Sequence, residues 1–192
     1  MTVGELVALA GRAQSGDSDA RDELLVELYC YVRKHIYLVL GSRALVDDAV
    51  QETMVAVYRG LAGFRGDTSP RAWALAIATR IARRLRAREA RYDLGDDGTV
   101  DTEVFDVGPA AAAELAMLQR ALAKLAPKKR DAFVLMAILE LSAEEVARVL
   151  DIPANTAASR YRHARAELQA RFERLEEPAR MTVSPTSRLV ES

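Results

Sequence analysis

The chain has 192 residues, half of them hydrophobic, so it can bury a core as one domain or as two small ones. Ten glycines, few aromatic residues and many Ala, Leu and Arg predict an all-α fold. A single cysteine excludes a disulfide framework or a cysteine-rich zinc site, so we expect no metal, no cofactor and a core position for Cys30. No apolar run approaches the roughly 20 residues that cross a bilayer, and no secretory leader is found, which predicts a cytoplasmic protein without a membrane partner.

The net charge of −1 conceals two segments of opposite charge that largely cancel. A basic segment comes first, opposed only by Asp67 and Glu89, and contains Arg65, Arg71, Arg80, Arg83, Arg84, Arg86, Arg88 and Arg91. An acidic segment without basic residues follows at once and contains Asp93, Asp96, Asp97, Asp101, Glu103, Asp106 and Glu114. Because the two segments cancel in the sum, the near-neutral charge does not exclude nucleic acid as a partner.

The apolar period predicts helices on both sides of the acidic segment. They are expected at 3–16, 18–40, 43–61, 69–91, 110–125 and 128–140, ahead of a further pair of helices. The stretch 92–109 has Gly, Asp and Pro but no helical period, which predicts a flexible linker.

The chain therefore divides into two small helical domains joined by a flexible acidic linker. We expect the N-terminal domain over 1–91, the linker over 92–112 and the C-terminal domain over 113–176. The end, 177–192, carries two prolines with scattered Ser and Thr, which predicts a disordered tail.

One face of the third predicted helix is acidic. The sequence DDAVQE puts Asp48, Gln51 and Glu52 on one side of the helix, after Asp47, while apolar residues supply packing on the other side. A row of acidic residues on a helix is usually just a solvated face. The segment that follows makes a functional role for this row worth considering.

That segment, FRGDTSPRAW, predicts a small polar turn before the arginine-rich helix. Its polar groups can read base edges, an aromatic ring can stack on a base, and arginines can neutralise phosphates, so the segment suits unpaired bases. Trp73 has two interpretations, core packing and base stacking, of which core packing is the more common for a Trp at a helix start.

The stretch 141–168 predicts a helix-turn-helix. Ser142 as N-cap and Glu145 three residues later form a capping box at the start of its first helix. That helix is expected to end at Asp151, which tolerates the left-handed backbone conformation, just before Pro153.

Asn155 or Thr156 is expected to cap the second helix, whose inward side carries Ala157, Tyr161, Ala164 and Leu168. The exposed face carries Ser159, Arg162 and His163 at i, i+3 and i+4, with Arg160 and Arg165 on its flanks. In a helix-turn-helix this face enters the major groove, where Arg bonds guanine and Ser bonds either kind of base edge. Helix pairs with exposed Arg also occur in simple bundles, so this pattern alone leaves both interpretations open.

Three blocks in this order resemble a bacterial extracytoplasmic-function sigma factor. They are GRAQSGDSDARDELLVELYCYVRKHIY, then DDAVQETMVAVYRGLAGFRGDTSPRAWALAIATRIARRLRAR, and after the acidic linker LAKLAPKKRDAFVLMAILELSAEEVARVLDIPANTAASRYRHARAEL. The likeness covers about 6–175, and the match of both domains in order makes it specific.

The resemblance implies a non-enzymatic protein that binds core RNA polymerase and promoter DNA, with an anti-sigma factor as a further partner. It assigns the polymerase β′ clamp to Asp47, Asp48, Gln51 and Glu52. It assigns the −10 element to Arg65, Asp67, Thr68, Ser69, Trp73, Arg80, Arg83 and Arg84. It assigns the −35 element to Thr156, Ala158, Ser159, Arg160, Arg162, His163 and Arg165. The apolar side of 132–139 would help form the domain that docks on the β flap, and the linker would thread through the polymerase channels.

The sequence departs from the family pattern at four positions. Members often have Asn where Arg80 stands and Asp near Arg84, so the strand-contact helix is unusually basic. Ala158 replaces a common Lys or Arg, and Asp151 a frequent Gly. Loss of one base-contacting side chain should alter the −35 preference, since a bidentate contact is worth about 1–3 kcal/mol.

Two alternatives stay open beside initiation. A stand-alone helix-turn-helix regulator explains 141–168 but leaves DDAVQE and FRGDTSPRAW unused, and a sigma-like protein could bind polymerase without initiating. An enzyme is the least favoured class, because His35 and His163 have no visible catalytic partners.

Overall fold

The computed structural model describes residues 1–40, 43–92 and 109–181, and within these ranges every regular element is helical. The N-terminal domain consists of α1 (Val3–Gln14), α2 (Ser18–Leu40), α3 (Arg43–Gly60), a 3₁₀ turn (Leu61–Gly63) and α4 (Pro70–Tyr92). The C-terminal domain consists of α5 (Pro109–Ala123), α6 (Pro127–Phe133), a π-helical turn (Val134–Ile138), α7 (Ala143–Leu150) and α8 (Ala154–Met181). The predicted all-α, two-domain architecture is confirmed.

The helix starts of α1 and α7 are fixed by local side-chain hydrogen bonds. At α1, Thr2 Oγ1 accepts from the Glu5 amide and the Glu5 carboxylate accepts from the Thr2 amide. At α7, Ser142 and Glu145 form the same reciprocal capping box, as predicted. Each box pairs backbone N–H groups that a helix start otherwise leaves without a partner.

The turn of the helix-turn-helix follows the sequence prediction at its first residue and departs from it at its last. Asp151 ends α7 with φ 54° and ψ 58°, the predicted left-handed conformation. The expected cap at Asn155 or Thr156 was wrong, because α8 begins at Ala154. The carbonyl of Pro153 accepts from the amides of Thr156 and Ala157, so the proline stands immediately before the helix it starts.

The expected boundaries shift at both ends of the C-terminal domain. Helix α5 starts at Pro109, so the last four positions of the expected linker are helical, whereas 93–108 lie outside the described residues. Helix α8 runs to Met181, so the expected tail starts as helix, and 182–192 lie outside the described residues. The helix expected over 128–140 is α6 followed by the π-helical turn, in which the Leu139 amide bonds the Val134 carbonyl.

A continuous hydrophobic core runs through both domains. Helix α2 packs against α1, α3 and α4 of its own domain and against α5, α6 and the π-helical turn of the other. Helix α4 packs against α7. One expectation about this core was wrong: Cys30 is exposed, because it lies on the outer side of α2, next to the buried positions Leu28 and Val32. None of the described helices has the length and apolarity needed to span a membrane.

Candidate nucleic-acid interface

The acidic face of α3 forms as the sequence predicts. The side chains of Asp47, Asp48, Gln51 and Glu52 are all exposed. The opposite side of the helix is buried, with Ala49, Val57 and the hydroxyl-bearing Thr53 fully inside the core. Thr53 donates its hydroxyl hydrogen to the Ala49 carbonyl at 2.7 Å, so its polar group is satisfied within the helix.

An apolar groove of about 880 Å³, which sequence reasoning missed, adjoins this acidic face. It lies between α2 and α3 and is lined by Leu25, Val26, Tyr29, Asp47, Val50, Gln51, Met54, Val55, Tyr58 and Arg59. Four of its large apolar side chains are exposed, among them Val26 at 66% and Tyr58 at 53%. A contiguous exposed apolar patch with a polar rim is typical of a protein-binding surface.

A sequence signal for the groove was present. Val26 and Tyr29 on α2, and Val55 and Tyr58 on α3, are apolar pairs three residues apart that face away from the core. Three-residue spacing puts the members of a pair on one helix face. The sequence could not show that the two faces meet, because that depends on how α2 and α3 pack.

The polar turn between α3 and α4 is held from within the N-terminal domain. Phe64 is buried at its start, and the Gln14 side-chain amide donates to the Phe64 carbonyl at 2.6 Å. Gly66 has φ +75°, a conformation that L side chains rarely adopt. Arg65 and Asp67 form an exposed ion pair at 3.0 Å. Because the ends of the turn are anchored and its charged middle is exposed, this ion pair is accessible to a ligand.

Ser69 ends the turn and caps α4, because its hydroxyl oxygen accepts from the Ala72 amide at 3.2 Å. Trp73 sits one turn further on and packs against the core, with its ring centroid 5.0 Å from that of Phe64. A Cβ atom at Gly60 would lie 3.1 Å from the Trp73 ring, so the small residue makes room for it. These contacts favour core packing over base stacking for Trp73.

The arginines of α4 have different surroundings. Arg80 is exposed, and Arg84 is exposed and paired with Glu52 of the acidic face. Arg83 instead donates to Asp131 of α6 at 3.0 Å, across the domain boundary. The sequence-predicted basic surface is therefore partly neutralised by carboxylates from two other helices.

The second helix of the helix-turn-helix presents its predicted inward face, whereas the predicted outward face is exposed only in part. Ala157, Ala164 and Leu168 are buried, and Tyr161 stacks against Phe133 of α6 with 6.0 Å between ring centroids. The residues assigned to the −35 element fall into three environments. Arg162, His163 and Arg165 are exposed, Thr156, Ala158 and Ser159 are half-buried, and Arg160 lines a cleft between the domains.

Polar contacts across the domain boundary were not predicted. The Ser69 hydroxyl donates to Glu145 at 2.8 Å, and Arg148 reaches the carbonyl of Asp67 at 3.4 Å. The buried Gln119 amide donates to the carbonyl of Tyr37 at 3.2 Å. Sequence reasoning assigned Glu145 only to the capping box, and nothing in the local pattern marks Gln119, since its partner lies in another domain.

A buried histidine lies behind the Arg83–Asp131 pair. His35 is fully buried, and its Nε2 is 2.9 Å from Thr79 Oγ1. Because the Thr79 hydroxyl donates its hydrogen to the Leu75 carbonyl, Nε2 must be the donor to Thr79. Burial lowers the pKa of His35 to about 4, with Asp131 opposing the shift and two arginines adding to it. The histidine is thus neutral at pH 7.

Both domains match known families. Residues 24–92 match Sigma-70 region 2, and residues 115–168 match Sigma-70 region 4. Among similar structures, a complex of CnrH with the cytosolic domain of CnrY has a TM-score of 0.68 and 30% identity, covering 86% of this chain and 96% of that one. A complex of the sigma factor RpoE with the anti-sigma factor NepR from Bartonella quintana has a TM-score of 0.66 at 21% identity, covering 81% and 97%, and supports the fold alone.

Curated relatives are similar to this chain over most of their length. The RNA polymerase sigma factor CnrH of Cupriavidus metallidurans is 33% identical over 180 residues, which cover 84% of this chain and 91% of the relative. The ECF RNA polymerase sigma-E factor of Escherichia coli K12 is 32% identical over 172 residues, covering 82% and 88%. With both regions in order and this coverage, the chain belongs to the ECF family of RNA polymerase sigma factors.

Proposed function

We propose that three surfaces of this sigma factor bind three different partners: core RNA polymerase, the −10 element and the −35 element. The protein binds core RNA polymerase, recognises −35 and −10 promoter elements and promotes DNA melting. The observation that carries the proposal is the exposed basic face of α8, Arg162, His163 and Arg165, on a helix-turn-helix whose other helix is capped at both ends. This arrangement lets side chains at the start of the second helix reach base edges in the major groove.

The acidic face of α3 and the adjoining groove form the polymerase-binding surface. Exposed carboxylates at Asp47, Asp48 and Glu52 suit a basic partner, and the apolar groove supplies the desolvated centre that a stable interface needs. The family resemblance names the β′ clamp as that partner.

The turn containing Arg65, Asp67, Thr68 and Ser69 binds the −10 element. Its exposed ion pair offers a cation and a carboxylate close together, and both can bond the edges of an unpaired base. Arg80 and Arg84 are exposed on the following helix, where they can contact the phosphates of the opened strand. Trp73 acts mainly as the packing residue that holds the turn in position.

The C-terminal domain docks on the β flap and reads the −35 element through α8. Arg162 and His163 contact bases, and Arg165 contacts phosphate. The acidic linker occupies the polymerase channels. The protein itself catalyses no reaction and acts in the cytoplasm, where the polymerase is. An anti-sigma factor controls it, as the family resemblance implies.

The test is run-off transcription on a genomic fragment library with purified core polymerase, with and without this protein. We expect transcripts with defined start sites that depend on the protein. Arg162→Ala should reduce them by about 5- to 150-fold on its preferred promoter, since a bidentate base contact is worth about 1–3 kcal/mol. Arg174→Ala is the matched control, because Arg174 is exposed on the same helix, about three turns further on.

The outcomes separate the candidate functions. Stable polymerase association without transcripts would favour the non-initiating relative. Absence of association, with tight binding of the protein alone to a palindromic operator, would favour the stand-alone regulator and contradict the proposal.

A further inference from the structure

A cleft of about 520 Å³ lies between the two domains and is lined by basic side chains from three helices. Arg83 and Arg86 belong to α4, Lys128 to α6 and Arg160 to α8. Among the described residues that line the cleft, Asp131 is the only acidic one. The volume lies within the range of about 300–1,000 Å³ that is usual for small-molecule sites. The cleft therefore has the size and the charge of a site for a small anion.

The positive charge of the cleft exceeds what Asp131 can neutralise. The Asp131 carboxylate is buried, pairs with Arg83 at 3.0 Å and lies 3.9 Å from Arg86. Within the part of the chain that the structure describes, neither Lys128 nor Arg160 has an ion-pair partner. A cleft lined by charges of one sign concentrates their field and attracts ions of the opposite sign.

The arginines of α4 are held in place by bonds that leave donors available. Arg86 and Arg130 of α6 both donate to the Val39 carbonyl at 2.9 Å, so two guanidinium groups share one acceptor. Burial lowers the pKa of Arg130, and the charge of Arg86 lowers it further, while Asp131 opposes the shift. A bound anion would relieve this repulsion.

Arg83 is oriented in a similar way. Its Nε donates to Asp131 at 3.0 Å, and its two terminal nitrogens make no hydrogen bond to any residue that the structure describes. The planar fork of an arginine matches the oxygens of a phosphate group, with which it forms two parallel hydrogen bonds. Because the bond to Asp131 already fixes the guanidinium, little side-chain entropy is lost when Arg83 binds a phosphate.

The remaining lining of the cleft is apolar. It consists of Ala87, Pro127, Leu150 and Ile152. Inorganic phosphate gains nothing from such a surface, whereas a flat organic group attached to the phosphates can pack against it. The combination of cations from three helices with an apolar wall is typical of a site for a phosphorylated organic molecule.

From this lining we propose that the cleft is a binding site for a nucleoside polyphosphate. Arg83, Arg86, Lys128 and Arg160 bind the phosphates, and the nucleoside packs on the apolar wall. Linked phosphates suit the cleft better than a single one, because a chain of them can reach cations on α4, α6 and α8 together. Since these helices belong to different domains, the ligand stabilises the folded chain as a whole.

The experiment is isothermal titration calorimetry of the full-length protein with ATP, inorganic triphosphate and adenosine, in the absence of magnesium. Thermal unfolding is measured with the same three compounds. We expect one ATP to bind per chain and to raise the melting temperature. Inorganic triphosphate should bind more weakly than ATP because it lacks the nucleoside, and adenosine should bind most weakly because it lacks the phosphates.

Two substitutions test the cations, each with a matched control. Lys128→Ala and Arg160→Ala should each weaken ATP binding about tenfold, because each removes a charge-assisted hydrogen bond to phosphate. Lys124→Ala and Arg174→Ala remove exposed cations of the same domain outside the cleft and should leave the affinity unchanged. Lys128 is exposed, so Lys128→Ala carries the test if Arg160→Ala is unstable.

Several results would overturn the proposal. Absence of binding by both ATP and triphosphate would exclude the site, and equal weakening by the control substitutions would indicate non-specific attraction to a basic surface. Triphosphate binding as tightly as ATP would contradict the role of the apolar wall. Binding of a short DNA duplex with the same dependence on Lys128 would assign the cleft to DNA instead. The titrations contain neither polymerase nor promoter, so their failure and the failure of the proposed function are distinguishable.

Discussion

His35 is held neutral in the core of the N-terminal domain, with one ring nitrogen bonded to Thr79 and the pKa lowered to about 4 by burial. In an unfolded chain the same group titrates near 6.5. Between these two values the unfolded state binds a proton that the folded state does not. The stability that the neutral histidine provides is therefore present above about pH 6.5 and is lost as the pH falls toward 4.

We accordingly expect the free energy of unfolding to decrease by about 2 kcal/mol between pH 7 and pH 5 through this residue. Urea denaturation of the wild type, His35→Gln and the exposed His163→Gln at both pH values measures the effect. His35→Gln should lose this part of the pH dependence, and His163→Gln should retain it. Equal pH dependence in all three proteins would contradict the assignment.

Asp151 carries backbone strain, because its φ of 54° lies in the left-handed region that glycine adopts most readily. Asp151→Gly should therefore raise the free energy of unfolding by about 1 kcal/mol, whereas Asp151→Ala should lower it. Thermal unfolding of the three proteins gives the comparison. A destabilising glycine would indicate that the carboxylate makes a compensating interaction.

At the scale of single elements, the apolar groove between α2 and α3 has a direct test. Val55→Lys inserts a charge into the groove and should weaken association with core polymerase about tenfold, because a desolvated apolar centre accounts for most of the binding energy of an interface. Val7→Lys is the control, since Val7 is a similarly exposed valine on α1 outside the groove. Both substitutions are at exposed positions, so stability should change by less than about 0.5 kcal/mol. Competition binding measures the affinity of each variant for core polymerase. Equal affinities for the two variants would exclude the groove from the interface.

The start and the end of α7 were predictable because their causes are local. Ser142, Glu145 and Asp151 act within a few residues of themselves, and their spacing alone describes α7 and its end. Cys30 was misassigned for the opposite reason. It lies in an apolar stretch of α2, and only the packing of neighbouring helices determines which apolar positions of that stretch are covered.

The sequence was sufficient to predict which residues form the candidate site, and insufficient to predict which of them are covered by the other domain. The acidic face of α3, the turn and the exposed face of α8 follow from periodicity and family resemblance. The contacts that cover these surfaces do not follow from either, because the bonds from Ser69 to Glu145 and from Arg83 to Asp131 join residues 76 and 48 positions apart. Pairings at such separations depend on the arrangement of whole domains, which no local pattern contains.

At the scale of the whole molecule, the continuous core predicts cooperative unfolding. Because buried residues of both domains form one cluster, separation of the domains exposes apolar surface on each. We expect a single calorimetric transition whose van't Hoff and calorimetric enthalpies agree. Asp131→Asn should broaden it or divide it into two transitions, since it weakens the contact between the domains. Two well-separated transitions in the wild type would show that the domains unfold independently.

The two carboxylate oxygens of Glu145 serve different parts of the molecule: one accepts from the Ser142 amide at the start of α7, and the other accepts from Ser69. Ser69 in turn caps α4. A change at Glu145 or at Ser69 should therefore disturb two helix starts together, because each side chain caps its own helix and also bonds the other. Ser69→Ala and Glu145→Ala should consequently be non-additive in a double-mutant cycle of the free energy of unfolding, a coupling that two separately capped helices would not show.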